Sequence, residues 1–164
     1  MHHIKKTTPD SPKYKDANAD GDVVWKSDHT GASVLKPKVR SQEDKDNIEA
    51  AILYAQATGC VVRLQRACNT GKSADAMVGG KRLEIKTIRT ATKSAVAGAL
   101  RKAASGQTQD VLVNIKVFIA EGELKEAIYN RVRRKNYLQT VTVITHKGEV
   151  TTYKREEILE WKKE

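Results

Sequence analysis

Two carboxylates and a lysine stand close together in one short stretch that otherwise alternates apolar and polar side chains. In "SADAMVGGKRLEIKT", residues 73–87, Asp75 and Glu84 flank a Gly-Gly pair and Lys86 follows Glu84 by two. Gly-Gly between short alternating runs is a two-residue hairpin signal, because glycine supplies the positive φ angles of primed turns. With Gly79 and Gly80 as the loop, Val78 pairs with Lys81, Met77 with Arg82, Ala76 with Leu83, and Asp75 with Glu84. Side chains alternate along a strand, so Asp75, Glu84 and Lys86 share one face, while Ala76, Leu83 and Ile85 share the other. Like charges directly opposite one another destabilise a sheet unless something compensates. A divalent cation is the simplest compensation; a solvated hairpin face is the plainer reading of the same pattern.

Other chemistry-bearing patterns are weaker. "DANADGD", Asp16 to Asp22, imitates the start of a calcium loop, but its twelfth position is Ser27 where a bidentate Glu belongs, which favours an Asx-rich turn. "NTGKS" is not a phosphate loop, since the first glycine of that motif would fall at Arg66. Cys60 and Cys68 are too few for a disulfide framework or a Cys-rich zinc site. Of the four histidines only His146 lies in the region expected to fold, and its place beside a Lys-Gly turn suits a surface residue.

The elements that must position these groups follow from periodicity. Residues 1–40 hold all three prolines and few large apolar residues, and are expected to be a leader, linker or loosely packed extension; residues 41–164 form the domain. "SQEDKDNIEAAILYAQATG" reads as a capped helix with Ile48, Ala51, Ile52 and Ala55 inward and Gly59 as its stop. "CVVRLQ" is a buried strand, "ATKSAVAGALRKAASG" an alanine-rich helix with Val96 and Leu100 on one side, and "DVLVNIKVFIA" a central strand. "EGELKEAIYNRVRRKN" is a helix with a basic end, and "YLQTVTVITH", "KGEVTTYK" and "REEILEWKK" are two strands joined by a tight turn and a terminal helix. The alternation predicts an α/β fold with a mixed central sheet flanked by helices.

A formal net charge of +10 over 164 residues points to a polyanionic partner. Arg131, Arg133, Arg134 and Lys135 are the densest basic run, suited either to phosphate contacts or to a solvated helix face. An aromatic content of 5% disfavours base stacking as the main binding mode. No apolar run is long enough to span a bilayer, and the first residues lack the apolar centre of a secretory signal, so no export signal of its own is expected.

The element order, with Asp75 on one strand and Glu84-Ile85-Lys86 on the next, resembles the PD-(D/E)xK nuclease superfamily. In particular Ile48–Lys154 resembles the nuclease domains at the C-termini of contact-dependent growth inhibition toxins and related polymorphic toxins, through "IEAAILYAQATGCVV", "SADAMVGGKRLEIKT", "ALRKAASGQTQDVLVNI" and "TVTVITHKGEVTTYKR". Ala74 stands where the proline that names the superfamily would be. The resemblance implies Mg2+ or Mn2+ held by Asp75, Glu84 and the Ile85 carbonyl, with Lys86 orienting water or offsetting charge. It makes Glu49 a candidate further ligand, against the plainer role of an acid near a helix N-terminus, and Gln107 the helix-end glutamine of the site, with Gln109 close enough to take its place and a polar loop residue the plainer reading.

It further implies a toxin delivered into a target-cell cytoplasm as part of a secreted or cell-surface protein and neutralised at home by an immunity protein, with tRNA the first expected substrate and DNA the second. Two alternatives stand beside it. One is a metal-independent RNase of the barnase, EndoU and colicin type, in which Lys86, Thr87 and Gln107 contact phosphate and Glu84 is structural. The other is a basic nucleic-acid-binding module without turnover.

Overall fold

The computed structural model describes residues 4–6, 17–18, 21–36, 45–64, 75–105, 108–134 and 136–161. Gln107, Lys135, Cys68 and the "NTGKS" segment therefore lie outside the described residues. Ten strands form one mixed sheet among the described residues: β1 (Ile4–Lys6), β2 (Ala17–Asn18), β3 (Gly21–Lys26), β4 (Ser33–Lys36), β5 (Val61–Leu64), β6 (Ala76–Val78), β7 (Lys81–Ile88), β8 (Asp110–Ile115), β9 (Thr140–Ile144) and β10 (Glu149–Lys154). Their order across the sheet is β1-β10-β9-β8-β7-β6-β5-β4-β3-β2. Four helices complete the described fold: α1 (Lys45–Thr58), α2 (Lys93–Ser105), α3 (Glu121–Val132) and α4 (Arg155–Glu160). The expected α/β architecture with a C-terminal hairpin is what the chain adopts.

The parallel centre β7-β8-β9 carries the core on both sides. Buried on both faces, β8 reads as the near-continuous apolar run "VLVNI", with Asn114 its single polar member. Ile85, Leu112 and Ile144 face α1, whose alanines Ala50, Ala51, Ala55 and Ala57 let the helix lie close to the sheet. On the opposite face Ile88, Val111, Val113, Val141 and Val143 pack under α2, α3 and α4. Sheet faces alternate residue by residue, so these two clusters are separate cores divided by one sheet.

Several expectations shift in detail. The buried residues of α1 are Ala50, Ala51, Leu53, Ala55 and Ala57, and Ile48 and Ile52 are only partly covered. β5 is half-buried rather than buried, with Val62 and Leu64 inward and Val61 and Arg63 outward. β8 stops at Ile115, because Lys116 turns out to solvent and Phe118 is 67% exposed. Gly59, at φ 76°, ends α1 where expected.

The largest departure lies in residues 1–40. β4 joins β5 in parallel, β3 pairs with β4, Trp25, Ala32 and Val34 are buried in the α1 core, and Leu35 is buried outside that cluster. Few apolar residues suffice there because an existing strand supplies the other half of the packing. In the calcium-like stretch, Asn18 pairs with Gly21 and Ala17 with Asp22 as an antiparallel hairpin, and Ser27, the missing ligand position, is buried.

Removing the Trp25 side chain leaves a large void, so Trp25→Ala should cost about 3–5 kcal/mol in urea unfolding. A loss below about 1 kcal/mol would mean that β3 and β4 are not part of the cooperative fold.

Candidate active site

The hairpin register is the expected one: Val78 with Lys81, Met77 with Arg82 and Ala76 with Leu83. Gly79 and Gly80 have φ 56° and 80°, the left-handed values a primed two-residue turn needs. One residue beyond the paired stretch, Asp75 Oδ2 accepts a hydrogen bond from the Ile85 backbone N–H at 2.7 Å, which fixes its carboxylate across from Glu84. The two carboxyl groups lie close enough for the Asp75 charge to act on Glu84.

Burial, and then the Asp75 charge, push the Glu84 carboxyl up to about 7, against the opposing pull of Lys86 and Arg82. Lys86 Nζ stands 4.0 Å from Glu84 Oε2. The structure thus brings Asp75, Glu84 and Lys86 together on the face covered by α2. Such a pair can share a proton or hold a hard cation. Two carboxylates plus the Ile85 carbonyl suit magnesium, which commonly takes one or two protein carboxylates and fills its shell with water and phosphate oxygens. Among the described residues no three His, Cys, Asp or Glu side chains converge.

Glu49 is not part of this group. Its Oε1 accepts from Lys116 Nζ and, at 3.5 Å, from Asn114 Nδ2. Asn114 alternates with Val113, the register partner of Lys86, and so lies on the α1 face of the sheet. The sheet itself therefore separates Glu49 from Asp75 and Glu84. Its present role is to fasten α1 to the end of β8, as Asp46 fastens it to Arg89 at 2.5 and 2.6 Å.

The basic run does not act as one surface. Arg131 is half-buried and lines a cavity of about 210 Å³ with Ser94, Ala97, Gly98 and Arg101 of α2. Arg133 and Arg134 are exposed, and Arg133 Nε donates to Asn130 Oδ1 at 3.4 Å. His146 sits at the β9–β10 turn with Phe118 edge-on, ring centroids 5.8 Å apart. Cys60 is a free thiol. A second cavity of about 450 Å³ runs along β7 and α2, lined by Lys86, Thr87, Ser94, Gly98, Arg101 and Lys102 among others. In the sequence, Arg101 and Lys102 stand out only as residues displaced from an apolar stripe; their address beside Lys86 depends on α2 folding back over β7.

The family model described as "Contact-dependent growth inhibition CdiA C-terminal domain" matches residues 72–150, a stretch that takes in the hairpin, α2, β8, α3 and β9. Among solved structures, the CdiA-CT/CdiI toxin and immunity complex from Burkholderia pseudomallei is similar, at a TM-score of 0.50 and 20% identity over 71% of this chain and 92% of that chain. At that identity the likeness speaks for the fold. No curated protein matches the chain. The family match supports, for residues 72–150, likeness to a toxin domain of contact-dependent growth inhibition.

A carboxyl held near 7 binds a proton in the folded protein that the unfolded chain, at its ordinary 4.5, has already released, so stability falls as pH rises between these values. Glu84→Gln should therefore gain thermal stability over wild type at about pH 8 and lose that advantage at about pH 5. Magnesium should raise the wild-type Tm at the higher pH and leave that of Glu84→Gln unmoved. Equal shifts at both pH values would contradict the Asp75–Glu84 coupling.

Proposed function

We propose that this chain is the metal-dependent nuclease domain of a contact-dependent growth inhibition toxin, hydrolysing phosphodiester bonds in tRNA first and DNA second. The observation that carries the reading is the facing pair Asp75 and Glu84, with the Glu84 carboxyl held near 7 and Lys86 beside it. Magnesium or manganese, held by Asp75, Glu84 and the Ile85 carbonyl, would polarise the phosphoryl group and lower the pKa of a bound water. The Ile85 N–H keeps the Asp75 carboxylate aimed across the hairpin. Lys86 offsets negative charge growing on the phosphate oxygens, and the cationic wall of α2 holds the strand in place. Glu84 must be ionised to take part in binding a cation, so cleavage rises with pH through about 7.

The toxin–immunity complex of the structural neighbour supports a cognate immunity protein for this chain as well. The family match supports action in a target cell after delivery by a larger cell-surface protein, and the cytoplasm is the compartment this reading assigns. No helix among the described residues is long and apolar enough to cross a membrane.

One observation favours a second reading, a metal-independent RNase: a carboxyl titrating near 7 is itself suited to general base work. Incubation of the protein with total tRNA and with plasmid DNA, in magnesium and in EDTA, separates the two. Cleavage is expected only with magnesium, and Asp75→Asn, Glu84→Gln and Lys86→Ala proteins that remain folded should each lose about 10²-fold or more. Cleavage that survives EDTA and leaves 2′,3′-cyclic phosphate ends would sink the metal mechanism and favour the second reading.

A further inference from the structure

Ser94, Gly98 and Arg101 recur at helical spacing along α2 and form one stripe, while Val96, Leu100 and Ala103 form another that packs into the core. The first stripe faces Arg131, and the four residues line the smaller cavity. The same three α2 residues also line the larger cavity that contains Lys86, so the two are continuous around Gly98. The lining is cationic: Lys86, Arg89, Arg101, Lys102 and Arg131 contribute to it, and no acidic side chain does. Arg89 is committed to Asp46. Arg131 is not so provided for: its Nε is buried without a hydrogen-bond partner among the described residues. Burial, and then repulsion from Arg134 and Arg101, push its pKa down, so an anion at this point is the missing counterpart. Gly98 shapes the floor, since a Cβ built there meets no atom within 4 Å.

We infer that Arg101 and Arg131, above a floor of Ser94 and Gly98, form a second phosphate seat that holds a backbone phosphate of the nucleic acid away from the one being cut. The inference rests on the nuclease reading above. A concave seat with two guanidinium groups above a floor of one small hydroxyl side chain and a glycine fits a tetrahedral phosphodiester. Its continuity with the Lys86 cavity gives one strand a path over both. An acidic side chain of a protein partner would need to reach the same depth.

The test is binding without turnover. Glu84→Gln protein in EDTA is titrated against fluorescently labelled tRNA and labelled duplex DNA over a range of salt. Adding Arg101→Gln or Arg131→Gln should weaken binding several-fold and lower the slope of log K against log salt by about one each. Gly98→Leu should fill the seat and weaken binding while the thermal transition stays at least as high. Lys147→Gln, a change at the exposed β9–β10 turn, should leave affinity nearly unaltered. Unchanged slopes in the Arg101→Gln/Arg131→Gln double variant, or no nucleic-acid binding by any form, overturn the inference. So do variants that bind nucleic acid normally but lose affinity for the immunity protein, which would place an acidic protein surface in the seat. Metal-dependent cleavage by the wild type alongside unchanged slopes removes only the second seat. Altered slopes in a protein that never cleaves remove only the nuclease reading.

Discussion

Two carboxyl groups held facing each other on a half-buried face set the terms for the rest of this molecule. Asp75 and Glu84 cannot both ionise there without a compensating charge, and burial raises the cost. What keeps them together is backbone geometry: the left-handed pair Gly79–Gly80 closes the hairpin in a single register, and the Ile85 N–H then anchors Asp75. A one-residue slip would send Glu84 and Lys86 into the α1 core and bring Leu83 and Ile85 out. The apolar demand of that core therefore enforces the position of the charges.

The sheet is also a partition. On one side it carries Asp75, Glu84, Lys86 and the cationic α2 wall; on the other it carries Glu49 with Asn114 and Lys116. The proposed ion at the acidic pair would thus be served from the hairpin and α2 alone. The α1 face is left to structural ion pairs at the strand ends, where Asp46–Arg89 and Glu49–Lys116 tie the helix to β7 and β8.

The sequence discloses local relations far better than distant ones. The hairpin register is legible because a period of two and a Gly-Gly turn leave few alternatives, and β8, α2 and α3 are legible from runs of apolar residues at their own periods. Which face a helix residue meets is a tertiary matter, so Glu49 could be placed on α1 but not relative to the sheet. Trp25 and Val34 lie in short, charge-flanked strands whose apolar content looks insufficient until β5 is set beside them. Arg131 belongs to a basic run in the chain, yet in space it parts from Arg133 and joins Arg101 of another helix. Gln107 and Lys135 lie outside the described residues.

The two ends of the sheet order have a temporal meaning. β1, near the start of the chain, pairs with β10, near its end, with Ile4 opposite Thr151. Closing so long a loop costs little extra free energy, because the entropy grows only with the logarithm of length, but it slows the search for the partner strand. A chain emerging end-first from a ribosome cannot complete this edge until β10 has arrived. The order in which segments become available, as much as their chemistry, then determines when the finished domain exists.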